Sequence, residues 1–167
     1  MCNELPRYRV ALNDFQKALE FNLAHKAHLS DYNLAYKDRL VGHIHVVEAL
    51  TMATIISYMR PFQRNDPRGS DVAPRVEESI YLDAYSQDRR DLHAKFKTAR
   101  NSYLAHSDWD TARTTTVPAI IEGKWENLKS TVSTEWDFSR DQMEEANLLI
   151  LEATGVTTQR IASLESS

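Results

Sequence analysis

Apolar side chains recur at spacings of three and four residues over four stretches of the chain, and this spacing predicts four long helices. The first helix is predicted from about Arg9 to His28, and the second from about Asp31 to Arg60, where Pro61 ends it. The second helix has apolar residues around most of its circumference, which predicts that it is the most buried of the four. The apolar stripe of the first helix is formed by Leu12, Phe15, Leu19 and Leu23.

The third helix is predicted to start after Pro74 and to continue unbroken to about Leu104. The last helix has the clearest start, because the sequence SRDQ, residues 139–142, fits a capping box. Gly155 either ends this helix or lies within it. The stripe of the last helix is formed by Met143, Ala146, Ile150 and Ala153.

Helical periodicity is lost between Trp109 and Phe138. The β-branched runs TARTTTVPAII and STVST predict short strands, with a turn around Glu122–Lys124. All three tryptophans lie in this segment, so we expect it to pack on the helices. The sequence therefore predicts an all-α fold: a four- to five-helix bundle in one domain, residues 1–167, with a long irregular or short-β segment before the last helix.

Composition narrows the class of protein. The chain has 167 residues and a net charge of -4, which argues against nonspecific coating of long nucleic acids but leaves room for a local basic site. The lone cysteine, Cys2, cannot form an internal disulfide. No stretch approaches the ~20 apolar residues of a membrane span, and the N-terminal residues lack the apolar run of a signal peptide. We therefore expect a cytoplasmic protein that does not bind a membrane.

Common cofactor and metal motifs are missing from the sequence. Its six histidines form no His-Glu-x-x-His or Glu-x-x-His pattern, and the single cysteine excludes Cys-x-x-Cys. There is no Gly-x-Ser-x-Gly motif and no glycine-rich phosphate loop. We expect neither a catalytic metal nor a cofactor.

The stretch RNSYLAHSD, residues 100–108, holds the most distinctive chemistry of the chain. The His106 imidazole titrates near neutral pH, so it can remove the proton of a ribose 2′-hydroxyl or protonate the leaving 5′-oxygen. Arg100 offers a permanently charged planar fork to phosphate oxygens. The Asn101 amide can orient the phosphate or the sugar, and Ser107 and Asp108 can cap the helix or fix the imidazole tautomer. This combination suits RNA cleavage without a metal.

Helix geometry sets a condition on this site. Six residues rise ~9 Å and turn ~600°, so Arg100 and His106 would lie ~120° apart around one regular helix. Two arrangements bring them together: the helix ends before His106, or a second copy of the chain supplies the matching residues.

The same stretch resembles the R-x(4–6)-H motif of the HEPN superfamily. The motif here consists of Arg100, five residues and His106, with Asn101 as the polar residue after the arginine and the family's alanine-histidine-serine-aspartate run at 105–108. The family fold is a four- to five-helix bundle with the motif on a late helix. The predicted order of helices is similar over most of the chain, although the segment from Trp109 to Phe138 is longer than the family pattern.

The resemblance implies a homodimer in which two motifs face each other across a cleft. Catalytic members of the family are metal-independent endoribonucleases of toxin–antitoxin, abortive-infection and related defence systems. It follows that Arg100 and His106 would be catalytic, Asn101 supporting, RNA the substrate, and an antitoxin or another protein a further partner. Other members serve in binding or assembly, so a non-catalytic helical module that binds a protein or a nucleotide is the alternative function. Arg100 and His106 are also favourable residues near any helix C-terminus.

Two further features accompany the motif. Arg89, His93 and Arg100 lie close to one line on the third predicted helix, with Lys97 beside it. They form either a basic strip that guides RNA or an ordinary solvated face. Glu48 lies among apolar residues of the second helix, so we expect its carboxylate to have a buried partner, with His45 and Arg100 as candidates.

Overall fold

The computed structural model describes residues 4–35, 40–63, 76–105, 112–121, 124–133 and 138–166. Five α-helices and one antiparallel pair of strands form the regular structure of these residues. The helices are α1 (Leu5–Ala35), α2 (Leu40–Met59), α3 (Glu78–Ala84), α4 (Gln87–Ala105) and α5 (Arg140–Glu165), and the strands are β1 (Ala112–Ile121) and β2 (Lys124–Ser133).

The helices pack as a bundle, as predicted. Helix α1 packs on both α2 and α5, α4 packs on α2 and α5, and the short α3 packs on α5. The core lies between them and is rich in aromatic rings. The ring of Phe15 is 5.6 Å from that of Tyr58, 5.7 Å from that of Phe62 and 5.8 Å from that of Tyr81, centroid to centroid. Aromatic pairs at such distances bury much apolar area and fix the helices relative to one another.

Helix α1 is longer than predicted, and its buried face is different. The predicted break between His28 and Asp31 is wrong, because the helix continues to Ala35. Leu23 of the predicted stripe is half exposed, and the polar residues Asn22 and His25 are buried instead. The Asn22 amide donates to the Met143 carbonyl at 2.8 Å, so this residue ties α1 to the start of α5.

Helix α2 is buried over only part of its length. Its second half is closely packed, with Ile55, Tyr58 and Met59 fully buried. Val46, in the first half, is exposed. The α-helix ends just before Pro61, as predicted. Helix α2 stops at Met59, and Arg60–Phe62 form one turn of 3-10 helix.

The predicted third helix is interrupted. Helix α3 ends at Ala84 and α4 begins at Gln87, so a single helix to Leu104 is wrong. Tyr85 between them has an extended backbone with φ -79° and ψ 142°. The Tyr85 ring lies in the core, where it is 3% exposed.

The last helix begins as predicted. The Ser139 side chain accepts a hydrogen bond from the Gln142 N–H at 3.2 Å, and the Gln142 side chain accepts one from the Ser139 N–H at 3.1 Å. Gly155 lies within α5, which continues to Glu165. The predicted stripe Met143, Ala146, Ile150 and Ala153 is buried throughout.

The β-branched segment forms the predicted strands. Strands β1 and β2 pair antiparallel, with Ile121 opposite Lys124 and Ala112 opposite Ser133. The predicted packing of the tryptophans on the bundle concerns Trp109, Trp136 and the Trp125 side chain, which lie outside the described residues and side chains.

Candidate functional site

Arg100 lies near the C-terminal end of α4. The helix is held against the core by Leu92, Phe96 and Ala99, which are buried at spacings of four and three residues. Arg100 follows Ala99 directly, so its side chain leaves the helix at the border between core and surface and is partly buried. Asn101 is exposed. His106, Ser107 and Asp108 follow the last residue of α4 and lie outside the described residues, so the predicted meeting of His106 with Arg100 remains a prediction.

The charge on Arg100 is not neutralised by a carboxylate of the described residues. The guanidinium Nη1 donates to the Asn101 amide oxygen at 3.3 Å, and no ion pair of Arg100 occurs within the ranges that the structure describes. Partial burial lowers the pKa of Arg100 from its ordinary value. A guanidinium stays charged even so, and a partly desolvated cation without a counter-ion attracts an anion.

Other arginines of the bundle contrast with Arg100. Arg89 of α4 donates to Glu145 at 3.1 Å and to Glu152 at 2.6 Å, and these carboxylates raise its pKa. Arg160 donates to Glu4 at 3.2 Å, and its pKa is raised as well.

The predicted basic strip on α4 is wrong. Arg89 is occupied by the two glutamates of α5. His93 is 2% exposed, and its ring lies in the core rather than on the surface. Lys97 is exposed, but its ammonium group donates to both carboxylate oxygens of Glu78, at 2.9 and 2.8 Å. The solvated-face interpretation is equally wrong for His93, and of the line only Arg100 keeps an unpaired charge within the described part of the chain.

The predicted buried partner of Glu48 stays a prediction. Glu48 is exposed on the less buried first half of α2, so its carboxylate keeps contact with solvent.

A buried hydrogen-bonded chain is the feature that sequence reasoning missed. The His93 Nδ1 lies 2.8 Å from the Tyr58 hydroxyl, which lies 3.1 Å from the Tyr85 hydroxyl. On the other side of the ring, Nε2 lies 2.6 Å from a carboxylate oxygen of Glu78. Burial lowers the pKa of His93 despite the nearby carboxylate. Phe62 stacks edge-on against the imidazole, with ring centroids 5.1 Å apart.

The local sequence gives one sign that His93 belongs to this buried hydrogen-bonded chain. His93 falls one residue after Leu92 and three before Phe96, so it lies beside the apolar stripe of α4 and is expected to be partly buried. Its partners come from α2 and α3, far along the sequence, and the periodicity of one helix does not identify them.

Metal and membrane chemistry find no support in the described residues. Within them no group of three or more histidine, cysteine, aspartate or glutamate side chains is arranged to hold a metal ion. The helices of the described ranges also include none with the length and apolar character needed to cross a membrane.

Comparisons with protein-family models, with curated proteins and with solved structures each found no match to this chain.

Proposed function

We propose that this chain is a metal-independent endoribonuclease of the HEPN type that acts as a homodimer. The observation that carries the proposal is the uncompensated charge of Arg100 at the border of the core. Arg100 belongs to α4 and precedes His106 by six residues in the sequence RNSYLAHSD. The all-helical bundle is consistent with the resemblance to the HEPN superfamily at the level of fold class.

In the proposed reaction, Arg100 holds the oxygens of the phosphate next to the bond that is cut. His106 removes the proton of the 2′-hydroxyl, or protonates the 5′-oxygen that leaves, and the matching histidine of a second copy is available for the other transfer. Charge builds on the phosphate oxygens as the 2′-oxygen attacks phosphorus. A fixed guanidinium stabilises that charge more strongly in a partly desolvated position than in water.

Cleavage of a mixed RNA substrate in EDTA tests the proposal. We expect the wild-type protein to cut, because the reaction needs no metal. His106→Ala should lower the rate by about 10²- to 10⁴-fold, since a general acid or base is lost. Arg100→Ala should lower it by about 10²- to 10³-fold, and Arg100→Lys should restore only part of the loss because a point charge replaces a planar fork.

Arg9→Ala is the matched control. Arg9 is an exposed arginine on α1 whose ion pair with Glu165 lies on the surface, so its loss should leave both folding and cleavage unchanged. Circular dichroism of each variant separates a lost function from a lost fold. A wild-type protein that leaves varied RNAs intact, or full activity in His106→Ala, would refute the proposal and favour a non-catalytic helical module.

A further inference from the structure

The buried chain Tyr85–Tyr58–His93–Glu78 connects three parts of the bundle. Tyr58 lies at the end of α2, Glu78 is the first residue of α3, and His93 belongs to α4. Tyr85 directly follows α3. The hydrogen-bonded chain therefore contacts this seven-residue helix at its first residue, Glu78, and at the residue just after its last. Such a short helix has little stability of its own, so its position depends on these contacts together with the packing of Tyr81 in the core and against α5.

At neutral pH, every hydrogen bond of this buried chain donates in the same direction, from Tyr85 through Tyr58 and His93 to Glu78. The pKa of Glu78 is lowered, with hydrogen bonds from Lys97 and His93 outweighing burial, so the carboxylate is ionised and can only accept. His93 therefore carries its proton on Nε2 and donates to Glu78. Burial raises the pKa of Tyr58, so its hydroxyl keeps its proton and donates to the free Nδ1. The Tyr85 hydroxyl then donates to the Tyr58 oxygen.

Uptake of a proton by His93 reverses the two hydrogen bonds that join His93, Tyr58 and Tyr85, while Nε2 still donates to Glu78. The new proton goes to Nδ1, because Nε2 already carries one, and Nδ1 changes from acceptor to donor. The Tyr58 hydroxyl must turn to donate to the Tyr85 oxygen. Tyr85 is buried, and no second acceptor for its hydroxyl occurs among the hydrogen bonds of the described residues. One buried donor is left unsatisfied next to α3.

We propose that the chain Tyr85–Tyr58–His93–Glu78 is an acid-sensitive latch that holds α3 against α2 and α4 at neutral pH and loosens it when His93 is protonated. Among the described residues, the charged and titratable groups around the imidazole are Tyr58 from α2, Glu78 from α3, Tyr85 from the link, and Lys97 from α4 itself. Among these groups, the Glu78 carboxylate favours the protonated ring. Lys97 binds the same carboxylate, which is therefore shared between two cations once His93 is protonated.

The tautomer of His93 in the wild-type protein is the first test. Nitrogen-15 NMR of the imidazole side chains should show His93 as the Nε2–H form at pH 7, with an acceptor-type Nδ1. Glu78→Gln should move the titration of His93 to lower pH, because the attracting carboxylate is lost while an amide oxygen still accepts from Nε2. A proton on Nδ1 at pH 7, or a titration unchanged by Glu78→Gln, would overturn the proposal.

Amide hydrogen exchange tests the loosening of α3. Protection factors of the amides from Leu82 to Tyr85, corrected for intrinsic rates, should fall several-fold from pH 7 to pH 5 relative to those in the middle of α5. The double variant His93→Gln/Tyr58→Phe removes both the titrating ring and the hydroxyl that it orients, and should abolish this pH response.

His25→Gln is the matched control for exchange. His25 is a second buried histidine whose pKa is lowered by burial, but it lies on α1 outside the latch. Its substitution should leave the response of α3 in place. An unchanged protection of α3 in the wild type at pH 5, or a response that survives in the double variant but is lost in His25→Gln, would contradict the latch.

Discussion

Single residues of the core combine apolar bodies with hydrogen-bonded tips. Tyr81 is fully buried, and its hydroxyl lies 2.9 Å from the Thr157 hydroxyl of α5. Thr157 in turn donates to the Ala153 carbonyl at 2.7 Å, so the Tyr81 hydroxyl must be the donor to Thr157. Burial raises the pKa of Tyr81 to about 12, which keeps this proton in place. Each polar atom of the pair is therefore satisfied inside the core.

Removing either side of this pair should have unequal effects. Tyr81→Phe loses one hydrogen bond and should lower the free energy of unfolding by about 1 kcal/mol. Thr157→Val leaves a buried hydroxyl without its acceptor and should cost more, up to about 3 kcal/mol. The double variant should cost less than the sum. Urea unfolding of the three variants measures this, and a Thr157→Val variant no less stable than Tyr81→Phe would contradict the assigned direction.

Residue-level prediction from sequence worked where one helix decides the outcome. The buried face of α5 followed from its own spacing, because every member of that stripe packs inward. It failed where two elements decide. His93 was expected on a surface strip, but Tyr58 and Glu78 hold it in the core.

At the scale of elements, helix termini were predicted correctly where neighbouring residues decide them, and wrongly where contacts between distant elements decide them. The capping box of α5 is local, since Ser139 and Gln142 are three residues apart, and the sequence predicted it correctly. The break between α3 and α4 depends on the extended backbone of Tyr85, and the Tyr85 hydroxyl has its partner on α2. A periodic apolar pattern runs through both helices, so it offers no local sign of the break. The two strands were predictable because β-branched runs flank a turn sequence.

The capping box makes a prediction for α5 as a unit. Ser139→Ala removes the acceptor of the Gln142 N–H and should lower the free energy of unfolding by about 1 kcal/mol, or the melting temperature by roughly 2–4 °C for a domain of this size. Ser139→Asp is the control, because a carboxylate oxygen accepts the same hydrogen bond and suits the helix N-terminus. Thermal melts followed by circular dichroism at 222 nm decide it, and equal losses in both variants would argue against the cap.

The whole molecule should lose stability in acid. Burial lowers the pKa of His25 and His93 below the ordinary value of 6.5, so the unfolded chain takes up these protons first. The stability that depends on neutral imidazoles is present above pH 6.5 and declines as the pH falls below it. The pKa of Glu78 is also lowered, and adds a further loss below pH 4.5.

Asp14 acts in the opposite sense. Burial raises the pKa of its carboxyl above 3.8 in spite of its hydrogen bond with Arg60, so protonation of Asp14 favours the folded chain in acid. The effect of Asp14 is opposed by the effects of two histidines and of Glu78, so we expect acid to lower the free energy of unfolding overall. Urea unfolding at pH 7.5, 6.0 and 4.5 should give a steadily falling free energy, whereas constant or rising stability would contradict the burial of the two imidazoles.

Within the described residues the Arg100 guanidinium at the end of α4 forms no ion pair, whereas several other basic groups of that helix are bound to neighbouring elements. Arg89 and Lys97 are bound to glutamates of α5 and α3, and His93 belongs to the core. Within the same described residues Arg90 forms no ion pair either, but it is exposed and donates to the Tyr85 carbonyl, whereas Arg100 is partly buried and donates to the neighbouring Asn101 amide oxygen. The proposed nuclease activity rests on this difference and on the nearness of His106 in the sequence.

The chemistry of the cleaved ends tests the proposed activity most directly. The substrate is a DNA oligonucleotide with a single ribonucleotide, incubated with the wild-type protein in EDTA and analysed by mass spectrometry. Attack by the 2′-hydroxyl predicts one cut, directly 3′ to the ribose, with a 2′,3′-cyclic phosphate on one product and a 5′-hydroxyl on the other. Arg100→Ala should make the same cut about 10²- to 10³-fold more slowly. Products with a 5′-phosphate, cutting at deoxyribose positions, or equal cutting by Arg100→Ala would contradict the account.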